Sequence, residues 1–176
     1  MTRQEQLQEL FHTNQYFKMI CGAGNEDTEE VRRLSFIYTL AGAKGFDIST
    51  TPDVVKAAMD GINRAYDISD KFGIDIGIRP YIMISIGMPG DNHVRKAFIH
   101  EDMCIQCGLC VAPICPTEAI EPIVIKEENA FVITEKCIGC GACSAVCPIS
   151  DCITYNHNEK ALEELLPQCL ELGAEN

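Results

Sequence analysis

No stretch of eighteen or more consecutive apolar residues occurs in this 176-residue chain, so the sequence offers no membrane-spanning helix. Its first ten residues, MTRQEQLQEL, lack the basic-then-apolar order of a secretory signal. Basic residues are scarce: 14 Lys and Arg stand against 26 Asp and Glu, a formal charge of −12. A nucleic-acid backbone needs a basic face, so DNA and RNA are excluded as partners, whereas a protein with a basic docking surface would be steered toward this chain. No acid/base pair or nucleophile constellation rises above background. These absences leave a soluble, cytoplasmic protein of one large or two small domains, with enough apolar residues for a core.

Cysteine, by contrast, is abundant, with eleven in the chain. Without a secretory signal a disulfide framework is not expected, because a reducing compartment keeps thiols free for metals. Nine of the eleven fall between Cys104 and Cys152, leaving Cys21 and Cys169 outside. Cys137, Cys140, Cys143 and Cys147, followed by Pro148, form C-x2-C-x2-C-x3-C-P, the spacing of bacterial two-cluster ferredoxins. Three cysteines two residues apart wrap one face of a cubane in a tight loop, while Gly139 and Gly141 let backbone N–H groups approach its sulfides. The fourth cysteine is expected to open a helix toward the other cluster, with proline fitting the helix start.

Cys104, Cys107, Cys110 and Cys115, followed by Pro116, repeat the arrangement with one extra residue among Val111, Ala112, Pro113 and Ile114. In the crossed arrangement of such modules one [4Fe–4S] cluster takes Cys104, Cys107, Cys110 and Cys147, and the other takes Cys137, Cys140, Cys143 and Cys115. The extra residue alters the approach of Cys115. Between the copies, Ile123 to Lys126 and Phe131 to Ile133 read as a hairpin around Glu127 to Ala130. Zinc ribbons use two C-x2-C pairs rather than two triple-cysteine runs each ending in Cys-Pro, so the expected cofactors are two [4Fe–4S] clusters. Cys152 reads as a buried thiol packed on a cluster, with ligand exchange or redox sensing as the alternative role.

Ahead of the cysteines, strand and helix patterns alternate. Phe17 to Cys21 is a short apolar run ending in Gly22-Ala23-Gly24. Asp27 with Glu30 makes a capping-box pattern before Val31, Leu34, Ile37, Tyr38 and Ala41 at helical spacing, and Gly42 and Gly45 stop that helix. Phe46 to Ile48 forms a second strand. Thr51-Pro52 opens a helix through Val55, Ala58, Ile62, Ala65 and Ser69, ended by Gly73, and Tyr81 to Ile86 is a third strand. After the cysteine region, Glu159 to Leu172 returns to helical periodicity, Pro167 kinking or delaying its start.

The fold expected is therefore α/β. A partial parallel sheet of three βα units, like the start of a barrel, spans residues 1–96, and a ferredoxin-like module with two [4Fe–4S] clusters is inserted at residues 97–156. Residues 157–176 are the returning helix. Leu172-Gly173-Ala174 echoes Ala41-Gly42-Ala43, which leads into the second strand, so a fourth strand is expected just where the sequence stops, from a longer chain or a partner.

Other features carry less. Gly22-Ala23-Gly24-Asn25-Glu26-Asp27 has Asp27 in place of the third glycine of a dinucleotide loop and two acids facing the would-be pyrophosphate, which excludes that site. The C-x3-C-x2-C of radical enzymes is missing. Asp91-Asn92-His93-Val94-Arg95-Lys96 is the one locally basic loop, read first as a helix-start connector into the first cysteine run, with a site for an anion or a redox partner as the alternative. Cys169, spaced with Leu165 and Leu172, is expected in the core. Cys21, Asp47, Ser49 and Ser85 fall at strand ends, with the core the simpler place for Cys21.

With Phe17-Lys18-Met19-Ile20-Cys21-Gly22-Ala23, Tyr38-Thr39-Leu40-Ala41-Gly42-Ala43 and Arg95-Lys96-Ala97-Phe98 ahead of the cysteine runs, the chain resembles the light-dependent period protein (LdpA) family along its whole length. The resemblance implies an iron–sulfur protein that senses cellular redox state, in a family whose members continue past this chain's last residue. Three functional expectations follow: an electron-transfer protein or subunit passing electrons to a redox partner protein, a redox-sensing regulator, or the first part of a barrel oxidoreductase fed by the clusters. An electron carrier is favoured over a catalyst. A second copy of the chain, or a further chain completing the sheet, is the other expected partner.

Overall fold

A computed structural model describes residues 1–87, 90–121, 131–157 and 162–175. The chain divides into two compact units. The first comprises Met1–Ala23, Asp27–Ile86 and Ala161–Asn176; the second comprises Gly24–Glu26 and Gly87–Lys160.

In the first unit, helix α1 (Arg3–His12) precedes strand β1 (Lys18–Ile20), helix α2 (Thr28–Leu40), strand β2 (Gly45–Ser49), helix α3 (Pro52–Ser69) and strand β3 (Tyr81–Ser85). The strands lie in the order β1-β2-β3, all parallel, with Ile20 beside Asp47 and Asp47 beside Met83. Alternation along β2 and β3 turns Phe46, Ile48, Ile82 and Ile84 into a core shared with Val31, Val54, Val55, Ala58 and Ile62 of the helices. Gly61 is needed there, because a Cβ on it would strike the Arg32 carbonyl and crowd the Phe36 nitrogen and Ser35 Cβ, both 3.0 Å away. On the sheet's other face Lys18 Nζ meets Asp47 Oδ2 at 2.9 Å, and the Ser85 hydroxyl donates to Asp47 Oδ1.

Several sequence expectations are refined. Helix α1 was not anticipated, although Thr2 and Glu5 form a full capping box at its start. Asp27 caps α2 by accepting from the N–H groups of Glu29 and Glu30. Gly45 does not stop that helix: it is the first residue of β2, and the Tyr16 hydroxyl lies where its Cβ would be. Pro167 lies within helix α5 (Leu162–Glu171), so it does not delay the start of that helix. Cys169 of that helix is fully buried in the core, as the spacing indicated. Beyond it, Ala174 joins the core, and the Glu175 N–H donates to the Ile82 carbonyl at 2.8 Å, alongside β3.

The second unit is built on an antiparallel pair, β4 (Arg95–Ile99) with β5 (Ile153–His157), Arg95 opposite His157 and Ile99 opposite Ile153. A short helix, α4 (Ala142–Val146), precedes β5. An isolated antiparallel bridge joins Ile120 to Val132, extended by Ile133 N–H to Ala119 O at 2.7 Å. Most of the expected hairpin, from Ile123 to Ala130, lies outside the described residues. Arg95 and Lys96 belong to β4 and Lys96 is buried, so the expected basic loop is instead a strand that turns one cation inward. Among the described residues no helix is long and apolar enough to cross a membrane.

Candidate metal centre

The two cysteine runs fold into two loops of like conformation. Each loop takes the left-handed backbone twice between its cysteines, at Gln106 and Gly108 in the first run and at Gly139 and Gly141 in the second. These residues turn the loop so that the thiols around them point to one side. Glycine is required at position 139 for a second reason: a Cβ there would strike the Arg95 carbonyl and come within 2.7 Å of the Asn92 carbonyl. Its counterpart Gln106 is exposed and meets no such wall.

Two cavities result. One is lined by Cys137, Cys140 and Cys143 together with Cys115 from the other run. The second is lined by Cys104, Cys107 and Cys110 together with Cys147. All eight cysteines singled out from the sequence thus wall the two cavities, and each cavity draws three from one run and the fourth from the other. Among the described residues no three His, Cys, Asp or Glu side chains converge as on a single ion.

The fourth cysteines arrive differently from expectation. Cys147 does not open a helix; it closes α4, with extended backbone (φ −68°, ψ 123°). Proline explains this, since Pro148 disfavours helical conformation in the residue before it. Cys115, whose approach the extra residue of its loop was expected to alter, is buried, and its sulfur accepts from the Ala119 N–H at 3.2 Å. That loop contains a cis peptide, Ala112–Pro113. In the same cavity the Cys137 sulfur accepts from the Ala97 N–H at 3.3 Å, and the Tyr155 hydroxyl lies 3.6 Å from Cys143 Sγ and 2.9 Å from Ser144 Oγ. Such N–H···S bonds stabilise sulfur that carries negative charge.

Burial pushes the Cys110 and Cys143 thiols up, with neighbouring thiols adding to the shift. A metal must displace those protons, so loading this site releases acid. Cys152 lies on the wall of the second cavity, 2% exposed, its sulfur 3.9 Å from the His100 carbonyl. Burial, then Cys147 and Cys104, push its thiol up to about 11. Sequence reasoning missed the cations behind the first cavity. Lys96 Nζ donates to the Cys137 carbonyl at 2.8 Å, and Arg95 Nε to the Gly139 carbonyl at 2.9 Å. Both side chains were visible only as part of a charged segment.

Residues 97–155 match the 4Fe-4S dicluster domain family. The chain is also similar to Light dependent period A of Synechococcus elongatus (strain ATCC 33912 / PCC 7942 / FACHB-805), with 32% identity over 166 residues. That match covers 94% of this chain and 43% of the relative, so the chain spans about two fifths of the relative's length. No solved structure matches. The cysteine-rich unit is thus a 4Fe–4S binding domain, and the chain is an iron–sulfur protein resembling the light-dependent period protein.

Proposed function

We propose that the chain is an electron-transfer protein or subunit holding two [4Fe–4S] clusters, one on Cys104, Cys107, Cys110 and Cys147 and one on Cys137, Cys140, Cys143 and Cys115. The observation that carries this reading is the pair of cavities each walled by three cysteines of one run and one of the other. A cluster so held takes up and gives back a single electron. The chain's own contribution is to fix eight thiolates, donate backbone N–H groups to their sulfurs and surround them with apolar walls such as Ile99, Ile149 and Ile153. Cys107 and Cys140 are exposed, which supports electron exchange with a partner protein at either site.

A second reading is favoured by the similarity to a protein named for a light-dependent period: a regulator whose contacts change with the redox state of the clusters. Three parallel strands in sequential order, with core helices on one face, fit the start of a barrel-like unit. The Glu175 N–H bonded to the Ile82 carbonyl supports a further segment, from another part of a longer protein or a second copy, pairing with β3.

Anaerobic reconstitution tests the central reading, with about eight irons and eight acid-labile sulfides per chain and a reduced-state EPR signal broadened by coupling between neighbouring clusters as the expected result. Cys137→Ala should lose one cluster, whereas Cys152→Ala should keep the iron content and visible spectrum. Stoichiometric zinc with no iron uptake would sink the reading.

A further inference from the structure

The surroundings of the two cavities differ in charge, and this difference assigns them different tasks. Behind the cavity of Cys137, Lys96 is 5% exposed. Its ammonium donates to the carbonyl of Cys137 at 2.8 Å and of Gly24 at 2.7 Å, and lies 3.3 Å from Glu26 Oε2. Arg95 reaches the same loop from the other side of the strand. Its Nε donates to the Gly139 carbonyl at 2.9 Å, its Nη1 donates to Asn92 Oδ1 at 3.0 Å, and its guanidinium carbon sits 4.0 Å from the centre of the Tyr155 ring. The Tyr155 hydroxyl in turn faces Cys143 Sγ. The cavity of Cys104 is walled instead by Ile99, Ile105, Leu109, Pro148, Ile149 and Ile153 beside its cysteines. Residues 97–121, which carry its first three cysteines, contain no Lys or Arg, and Glu101 and Asp102 stand just ahead of Cys104.

Adding an electron makes a cluster site more negative, and nearby positive charge and hydrogen bonds toward its sulfurs favour that state. Inside a protein such charges act with less screening than in water. We propose that Lys96, balanced by Glu26, and Arg95 give the site of Cys137, Cys140, Cys143 and Cys115 the higher reduction potential of the two, so that the first electron rests there. Lys96 and Arg95 act through the backbone of the cysteine loop and are positioning residues. Glu26 opposes them: its carboxylate offsets part of the Lys96 charge. The proposal rests on the two-cluster reading given above.

The test is a mediated dithionite titration of the reconstituted 176-residue chain, followed by EPR, after its iron has been counted. Two one-electron steps are expected in the unsubstituted protein, and Cys140→Ser, which alters a ligand of the favoured site, should move the upper one. Lys96→Gln, a neutral donor, should make reduction at the upper step about tenfold less favourable, about 59 mV for a one-electron couple. Arg95→Gln should shift it the same way, Lys96→Arg should restore it, and Glu26→Gln should move it in the opposite direction. The lower step should stay in place throughout. A merely structural loosening would shift the Lys96→Gln and Glu26→Gln variants alike, and that result overturns the proposal, as does movement of the lower step or no movement at all. Should Lys96→Gln fail to hold iron, the opposite signs expected of Arg95→Gln and Glu26→Gln decide the matter. About four irons in the unsubstituted chain would overturn the two-cluster reading itself, and the proposal with it, whereas about eight irons without the opposed shifts would overturn the proposal alone.

Discussion

Among the described residues, the core cluster of twelve buried residues in the α/β unit contains one cysteine, Cys169, whereas in the cysteine-rich unit four of ten are cysteine, namely Cys115, Cys137, Cys143 and Cys152. The first core is made of Phe46, Ile48, Ile62 and Ile82 in direct contact with helix residues, each such side chain contributing about 1.5–3 kcal/mol through burial. The second is arranged around two cavities whose walls are thiols. One region's core is thus apolar side chains in contact with one another, and in the other thiols take a large share of that place. The charged groups follow the same division. Lys96 is buried against the carbonyls of a cysteine loop, where it serves the site, whereas Lys18 and Asp47 pair across a sheet face away from the core.

The comparison breaks most visibly on metal removal. Binding energy is folding energy where no site exists in the unfolded chain, and for structural zinc it amounts to about 10–16 kcal/mol. Stripping iron anaerobically with a chelator should therefore abolish the protection of the β4 and β5 amides, such as Ala97 and Ile99, in hydrogen exchange. The amides of Ile48 and Ile82 should remain protected. Equal loss in both regions would mean that the α/β core is not self-supporting.

The converse substitution sharpens it. Ile48→Ala removes a fully buried side chain from the sheet core and should destabilise that unit by about 2–5 kcal/mol, read as a lowered urea midpoint for its helical signal. Visible absorption per chain should not change. Bleaching by this variant would show that cluster retention depends on the α/β packing.

Within the cysteine-rich unit the two loops can be set against each other. Gly139→Ala places a Cβ against the Arg95 carbonyl at a left-handed position, so its cost should exceed the about 1–2 kcal/mol of the backbone conformation alone. Iron content should fall toward about four per chain, with one cluster lost. Gln106→Ala, at the equivalent but exposed position, should leave it at about eight. Equal losses would show that the wall formed by Arg95 and Asn92 is not what demands glycine.

Much of this was legible in the sequence because the signals are local. The cysteine runs, Asp27 as a cap, Pro52 at a helix start and the alternation in β2 and β3 each depend on residues close in the chain. What was missed depends on long-range contacts. Gly45 reads as a helix stop until Tyr16 is seen beside it, and Cys147 reads as a helix opener because Pro148 suits that role as well as it suits the residue after a helix. Lys96 reads as part of a basic loop. Only strand pairing with Asn156 shows that Lys96 belongs to β4, from which its ammonium reaches the carbonyls of Cys137 and Gly24.

The smallest expected effect lies at Cys21, the cysteine of the α/β unit whose place at a strand end invited a chemical reading. It packs against the apolar core, and its N–H donates to the Asp47 carbonyl at 2.8 Å. Burial first, then the carboxylates of Glu30 and Asp47, push its thiol from 9.0 up to about 11. The folded state thus holds this proton more tightly than the unfolded chain does. Its contribution to stability is fully present below pH 9 and is lost as the pH rises toward 11, so in urea titrations the unit should weaken over that window less in Cys21→Ala than in the unsubstituted chain. Because the thiolate is the reactive form, iodoacetamide at pH 8 should label native Cys21 about a hundredfold more slowly than the same residue in urea, as peptide mass spectrometry would measure. Labelling at the unfolded rate would mean that Cys21 is not held in the core and would return it to the set of residues with chemistry to explain.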